Sequence, residues 1–418
     1  MKIENIPLNI TKNKLVQILL IGFVFFIPIS TALMNLFLYS SLLLIVVNKD
    51  FIKNTQFSWN NNASKYSAAF FMLIIVGLFY SIAEYQDMLE SLSNYKKFLF
   101  VILLLPYFVN KKNNEVLINT FLVSMGFVLI LVYLINLNII DPINIKLSGG
   151  VYINISEHGG FKTYIITNIL FAFSGFLTMH KFFHLNRVVY LIIGLLTFYY
   201  SIFINDGTTG QILSISLLSL LIIQRFKRKS YFILPFVALS IFTYGSINTN
   251  TSAHSTIKKV QTGINNYSNN IAKGSVDVRM SMIENGITVA KENLWLGTGT
   301  GSINQAHFLY FNKLSEEFKS HILINNAGNP HSEYLSILIQ LGIFGLILYL
   351  LLIYKLLLDT KQLPNSFYRH SAQGLLILVV VTSIGTPIIT DSGEGHFVML
   401  FIAILFAPLS NRNISKHE

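Results

Sequence analysis

The chain has no cysteine. That excludes a disulfide framework, a thiolate nucleophile and a cysteine metal site. It is also short of charge. Only 12% of its 418 residues are charged, about half the roughly 25% typical of soluble domains. A water-facing surface of this size cannot be covered by so few charges, which excludes an ordinary soluble enzyme, a coiled coil and a disordered chain. What is abundant is apolar: hydrophobic residues make up 53% and mean hydropathy is +0.57. The composition points to a polytopic helical membrane protein.

Apolar runs of membrane-spanning character fall at about 15–30, 32–48, 66–83, 96–110, 116–138, 163–183, 187–204, 210–224, 230–248, 334–358, 371–390 and 395–410. They predict an all-α fold of about twelve transmembrane helices. Pro106 predicts a kink or incomplete crossing in the fourth, and Pro28-Ile29-Ser30 a tight hairpin between the first two. The net charge of +11 would suggest nucleic acid in a soluble protein. Here lysine and arginine concentrate in alternate connections: Lys49, Lys53 and Lys65; Lys111 and Lys112; Lys181 and Arg187; Arg225, Lys227, Arg228 and Lys229; Lys355, Lys361 and Arg369; and the tail with Arg412 and Lys416. The intervening turns carry Glu84, Asp87 and Glu90; Asp206; Asp391 and Glu394. By the positive-inside rule both termini are cytoplasmic, and the basic balance is topology rather than nucleic-acid affinity.

One connection is long. Residues 249–333 separate the ninth and tenth runs on the outer face, dividing the chain into 1–248, the loop 249–333 and 334–418. The loop carries seven basic and six acidic residues, so individual charges matter more than the total. Met280, Ile283, Ile287 and Ala290 form a helical stripe. A second helical stretch is expected over 302–318. Of six arginines, Arg279 alone falls on the outer face. Its planar guanidinium suits bidentate phosphate recognition; the plainer reading is a salt bridge to Asp277 or Glu284. His331 stands where the loop meets the tenth run, beside Pro330 and Tyr334. It suits general-base work or a simple helix-end role. Asp391, Glu394 and His396 share that face and read either as functional groups or as a wet turn. Gly297-Thr298-Gly299-Thr300-Gly301 lacks the strand–turn–helix setting of a nucleotide loop and reads as a tight turn. His180 and His184 have metal-pair spacing without an adjacent acidic third ligand, and read as interfacial histidines.

Two blocks resemble the O-antigen ligase and polymerase superfamily. The first runs from Arg279-Met-Ser-Met-Ile-Glu-Asn-Gly to Asn293-Leu-Trp-Leu-Gly-Thr-Gly-Thr-Gly. The second is Asn329-Pro-His-Ser-Glu-Tyr-Leu followed by Gln340-Leu-Gly-Ile-Phe-Gly-Leu, with Ser332 where the family usually has asparagine. The Asp391-Ser-Gly-Glu-Gly-His turn is similar to the family's last outer-face motif. The resemblance implies a GT-C-like, metal- and cofactor-independent glycosyltransferase of the bacterial inner membrane, working at the periplasmic face. It implies a glycan on undecaprenyl diphosphate as donor and membrane lipids as surroundings. In the ligase branch the acceptor is a lipid A–core sugar, while a repeat-unit polymerase would use another lipid-linked glycan and a protein O-oligosaccharyltransferase a protein hydroxyl. A transporter is the alternative of a different class. In it His331 activates the acceptor hydroxyl and Arg279 engages the donor diphosphate, with Tyr334, Asp391 and Glu394 as further substrate-binding candidates. Thr208, in Gly207-Thr208-Thr209-Gly210, stands where family ligases commonly carry a second arginine. Lys258, Lys259 and Lys273 are candidates to supply the missing charge, followed by Lys96 and Lys97.

Overall fold

A computed structural model of the chain describes residues 14–146, 152–156, 159–225, 252–269, 275–313, 330–363 and 365–410. The fold is all-α, with one small hairpin. Eleven of the twelve apolar runs lie on helices; the run at 230–248 lies outside the described residues. The first hairpin is α1 (Lys14–Phe26) and α2 (Thr31–Val46), its turn closed by Ser30 capping α2 and Phe26 stacking on Phe37. Helix α3 (Phe51–Ser58) leaves α2 at a bend of 107°. Then come α4 (Asn62–Leu78), α5 (Tyr85–Tyr95) and α6 (Lys97–Leu104). Pro106 turns the last into a 3-10 bend at Leu105–Phe108, so this apolar run is broken as its proline predicts.

Helix α7 (Lys111–Asn136) is followed by β1 (Ile143–Lys146) and β2 (Tyr152–Ile155), an antiparallel pair that apolar periodicity did not signal. Next are α8 (Tyr164–Leu185), α9 (Val188–Tyr199) with a π-helical turn at Tyr200–Ile204, and α10 (Thr208–Arg225). The loop contributes α11 (Ser252–Ser268), α12 (Ser275–Glu292) and α13 (Ile303–Lys313). The last helices are α14 (Glu333–Thr360), α15 (Ser366–Gly385) and α16 (Ser392–Phe406).

Helices α7, α8, α14 and α15 are each long and apolar enough to cross a membrane, and the bent α2–α3 pair makes a fifth candidate. Several shorter apolar helices pack among them, so the apolar runs do not each give a full-length span. The core is built around α16, buried from Gly393 to Phe406. Phe397 and Phe401 meet Phe121 of α7 and Phe173 of α8 in one aromatic cluster. A helix apolar on every side belongs inside such a bundle. The outer helices differ. On α7, Val123, Phe127 and Ile130 are exposed; on α14, Phe344, Ile347, Leu350 and Tyr354 are. These positions repeat at helical spacing opposite each helix's buried stripe. Continuous apolar faces of this kind mark contact with lipid rather than water. The chain is a membrane protein.

Helix α14 is not continuous. Gly342 has φ 63° and ψ −163°, which breaks it into 333–341 and 343–360. The break frees two carbonyls, and the glycine turn after α12 occupies them. Thr298 N–H donates to Ile339 O and Gly299 N–H to Gln340 O, both at 2.8 Å; Ile343 N–H returns a bond to Leu294 O at 2.8 Å. The remaining turn amides are also engaged: Gly297 with Asn293 O, Thr300 with Gly77 O, Gly301 with the Gln340 side chain, and Ser302 with Gly299 O. No amide from 297 to 302 is left for a phosphate, which disposes of the nucleotide-loop reading. A Cβ on Gly342 would lie 2.2 Å from Trp295 O. Positive φ and that close approach both demand glycine. Gly342→Ala is therefore expected to destabilise the protein by about 1–3 kcal/mol or more. Thermal unfolding in detergent checks it; an unchanged midpoint would show that the joint is dispensable.

Candidate functional site

The site is assembled where the loop helices meet the bundle. Helix α12 packs on the first half of α14 through Val289, Ala290 and Ile339, with Ala306 of α13 in the same cluster. Gly286 allows the approach: a Cβ there would sit 3.2 Å from Pro330 and 3.4 Å from Leu335. Arg279 lies seven residues earlier, on the same side of α12 by helical periodicity. That places its charge beside His331. The two interact electrostatically, and burial followed by the Arg279 charge lowers the His331 pKa from its ordinary 6.5. Arginine and histidine, 52 residues apart in sequence, are thus brought together. Glu284, one of the two acids near Arg279 in sequence, accepts from the Tyr267 hydroxyl at 2.5 Å.

His331 is half-buried and adopts φ 49°. Left-handed backbone is uncommon for a residue other than glycine, and it often marks functional positions. The surroundings hold it there. Pro330 precedes it, and Ser332 follows as N-cap of α14, accepting from Leu335 N–H. The Ser332 hydroxyl also donates to Ser383 O at 3.1 Å. Serine at this position therefore makes both a cap and a tie to α15.

Asp391 ends the turn between α15 and α16, and this turn is clamped from two sides. Lys97, only 2% exposed, donates to Ile389 O at 3.0 Å, Thr390 O at 2.7 Å and Asp391 O at 2.8 Å. Glu333, fully buried, accepts from Ile389 N–H at 3.0 Å. Burial raises the Asp391 pKa while the Lys97 charge opposes the rise. Glu394 is buried in the first turn of α16, where one carboxylate oxygen has no hydrogen-bond partner. Sequence reasoning passed over Glu333, which has no local signal: its partner lies 56 residues away. It named Lys97 as a phosphate ligand, but the three ammonium hydrogens are already directed at carbonyls. Lys96 is half-buried and donates to Ser93 Oγ at 3.0 Å.

A cleft of about 250 Å³ opens beside this turn, lined by Asp87, Glu90, Asn94, Asn304, Gln340 and Asp391 among others. Its polar, acidic walls are supplied by α5, the glycine turn and α14. Gln340 ties them, accepting from Ser91 Oγ and Gly301 N–H and donating to the Tyr95 hydroxyl.

Thr208 begins α10 in a polar turn. Buried Asn168 donates to Gly207 O at 2.8 Å and Ser201 O at 3.1 Å, and Gln211 donates to Asn205 O. The neighbouring Thr209 lies about 4.0 Å from the position of a Cβ on Gly385, so this turn sits at the same end of the bundle as Ser383, Ser332 and His331. Lys258 and Lys259 are exposed on α11. Lys273 lies outside the described residues, as does the loop from 314 to 329. Tyr334 directs its hydroxyl to Val380 O at 3.0 Å, tying α14 to α15.

The same Arg279, glycine-turn and His331 elements fall inside a stretch that comparison with known families identifies. Residues 191–350 match the O-antigen ligase family. No match to a curated protein was found. The matched stretch takes in most of α9 to the first part of α14, and so Thr208, Arg279 and His331. Lys97, Asp391 and Glu394 lie outside it. Its two motif blocks prove to be one structural unit, since residues 298–299 bond to the carbonyls of 339–340. Members of this family are glycosyltransferase-like enzymes acting in polysaccharide ligation or polymerisation.

Proposed function

We propose that the protein is an O-antigen ligase, moving a glycan from undecaprenyl diphosphate to a sugar hydroxyl of lipid A–core. The observation that carries this reading is the pairing of Arg279 with His331 inside the family-matched stretch. A lipid diphosphate is already an activated donor. A base must take the acceptor proton, and a fixed cation must receive the leaving charge. His331 accepts the proton of the acceptor hydroxyl, and that oxygen attacks the anomeric carbon. The bond to the diphosphate breaks, and the diphosphate departs with the electron pair toward Arg279. Displacement in one step inverts the anomeric centre. The polar cleft beside Asp391 receives the hydroxyl-rich sugar. With the basic connections in the cytoplasm by the positive-inside rule, this end of the bundle faces the periplasm of the bacterial inner membrane.

The test is the lipopolysaccharide ladder of a strain deleted for the gene and complemented with the native chain. Loss of all O-antigen on core, with polymer accumulating on the lipid carrier, is the expected result. Core carrying a single repeat would instead identify a repeat-unit polymerase. A product with retained anomeric configuration would overturn the single displacement.

The lowered His331 pKa gives a second expectation. The imidazole is the active, neutral form above its pKa, so the acid limb of the rate lies below the ordinary 6.5. Removing a neighbouring positive charge lets the imidazolium form more easily. Arg279→Gln therefore moves the acid limb of the residual rate upward in pH. An unmoved limb would mean that another group titrates.

A further inference from the structure

The opposite end of the bundle holds a second polar cavity that the proposed reaction does not use. Its volume is about 140 Å³, and it lies where the C-terminal turns of α8 and α10 meet the first turn of α15. His180, Phe183 and His184 come from α8, Gln224 and Arg225 from α10, and His370 from α15. Along α15, His370 stands 13 residues from Ser383, the partner of Ser332. At 1.5 Å per residue that is about 20 Å from the end that carries His331.

This lining is built but unsatisfied. His180 is only 6% exposed, and its ring interacts with the Gln224 side chain, but its Nε2 makes no hydrogen bond of good geometry. Gln224 uses its amide N–H on Gln373 Oε1 at 2.8 Å, and its own Oε1 likewise makes no hydrogen bond of good geometry. Buried polar groups are rarely left so, and an orphan in a cavity points to something that fills it. The His370 ring stands 5.0 Å from the His180 ring. At the mouth the exposed Arg225 guanidinium lies 4.6 Å over the Phe183 ring. Among the described residues no carboxylate lines the cavity. A metal is a poor fit, because among the described residues no group of three or more ligating side chains is placed to hold one.

The remaining chemistry is anionic. Arginine supplies a permanent charge and a forked donor set, and each imidazole can donate an N–H. The start of a 20-residue helix, α15, adds a positive dipole end. We propose that this cavity binds a phosphate group, held by the Arg225 guanidinium and the ring N–H groups of His180 and His370. The phosphate belongs either to an anionic lipid headgroup reaching the end of the bundle or to a free phosphate in solution. Neither source depends on the transfer chemistry at His331.

The experiment titrates the purified full-length protein, in neutral detergent, with dihexanoyl phosphatidylglycerol and separately with inorganic phosphate. Wild type is compared with Arg225→Gln and His180→Phe. Arg225 is exposed, so its replacement leaves the core untouched; the phenyl ring of the second variant keeps the volume of His180. The expected result is saturable binding weakened by about tenfold or more in each variant, the loss of a charged hydrogen bond. Binding of the lipid alone assigns the headgroup; binding of inorganic phosphate assigns the free anion. Absence of binding by both probes, or equal binding by wild type and the Arg225→Gln variant, overturns the proposal.

Discussion

His331→Ala is expected to abolish transfer of O-antigen to core while leaving the protein in the membrane. Positioned general bases contribute on the order of 10²–10⁴-fold to rate. The side chain is half-buried at the loop–bundle junction, and Ser332 ties the backbone that follows it to α15. Alanine should therefore remove the base without unfolding the site, at the cost of φ 49° in a residue little better suited to it. Arg279→Lys should also act strongly, because an ammonium keeps the charge and loses the fork. The ladder assay and a membrane immunoblot read both. A normal ladder from His331→Ala would remove this histidine from the chemistry and leave the acids beside the cleft as the alternative bases.

Lys97→Met is the second large expectation. Three carbonyls of the 389–391 turn accept from this one buried ammonium, and Glu333 binds the amide side of the same turn. Methionine fills the volume but strips those carbonyls of their donor and leaves Glu333 without its nearby cation. Breaking a buried charge cluster by removing one member costs about 3–5 kcal/mol. The turn carries Asp391 into the cleft, so activity should fall with stability. Thermal unfolding separates the effects. Combining Lys97→Met with Glu333→Gln should recover part of the lost midpoint, because the uncompensated charge is gone. A Lys97→Met protein with the native midpoint would show that the turn holds without its clamp.

Much of this was legible in the residues. Apolar runs placed eleven helices, Pro106 announced the bend in the fourth run, and Arg279 and His331 stood out by position and motif. Local pattern could not show which residues meet. Lys97 looked like a free outer-face cation because its carbonyl partners are nearly 300 positions away in sequence. Glu333 looked like the first residue of a helix, an ordinary place for an acid. The amphipathic α5 and the polar α3 were hidden because neither is an apolar run of membrane-spanning length. The glycine turn was recognised as a turn, but the break it docks into was not, since one glycine in an apolar helix carries no sign of its φ. Side chains with long-range polar partners are where periodicity stops informing.

The joint between the glycine turn and the broken helix bears on how the outer region can be exchanged between related proteins. A graft cut at 249 and 333, the boundaries that hydropathy suggests, would carry Thr298 and Gly299 into the host but leave behind Ile339, Gln340 and Gly342. It would also leave Gly77 and Ser81, which hold Thr300 from α4 and the loop that follows it. The transplantable module is therefore discontinuous. It comprises the loop, the first ten residues of α14 and the end of α4, and a chimaera that moves them together is the one expected to reach the membrane folded.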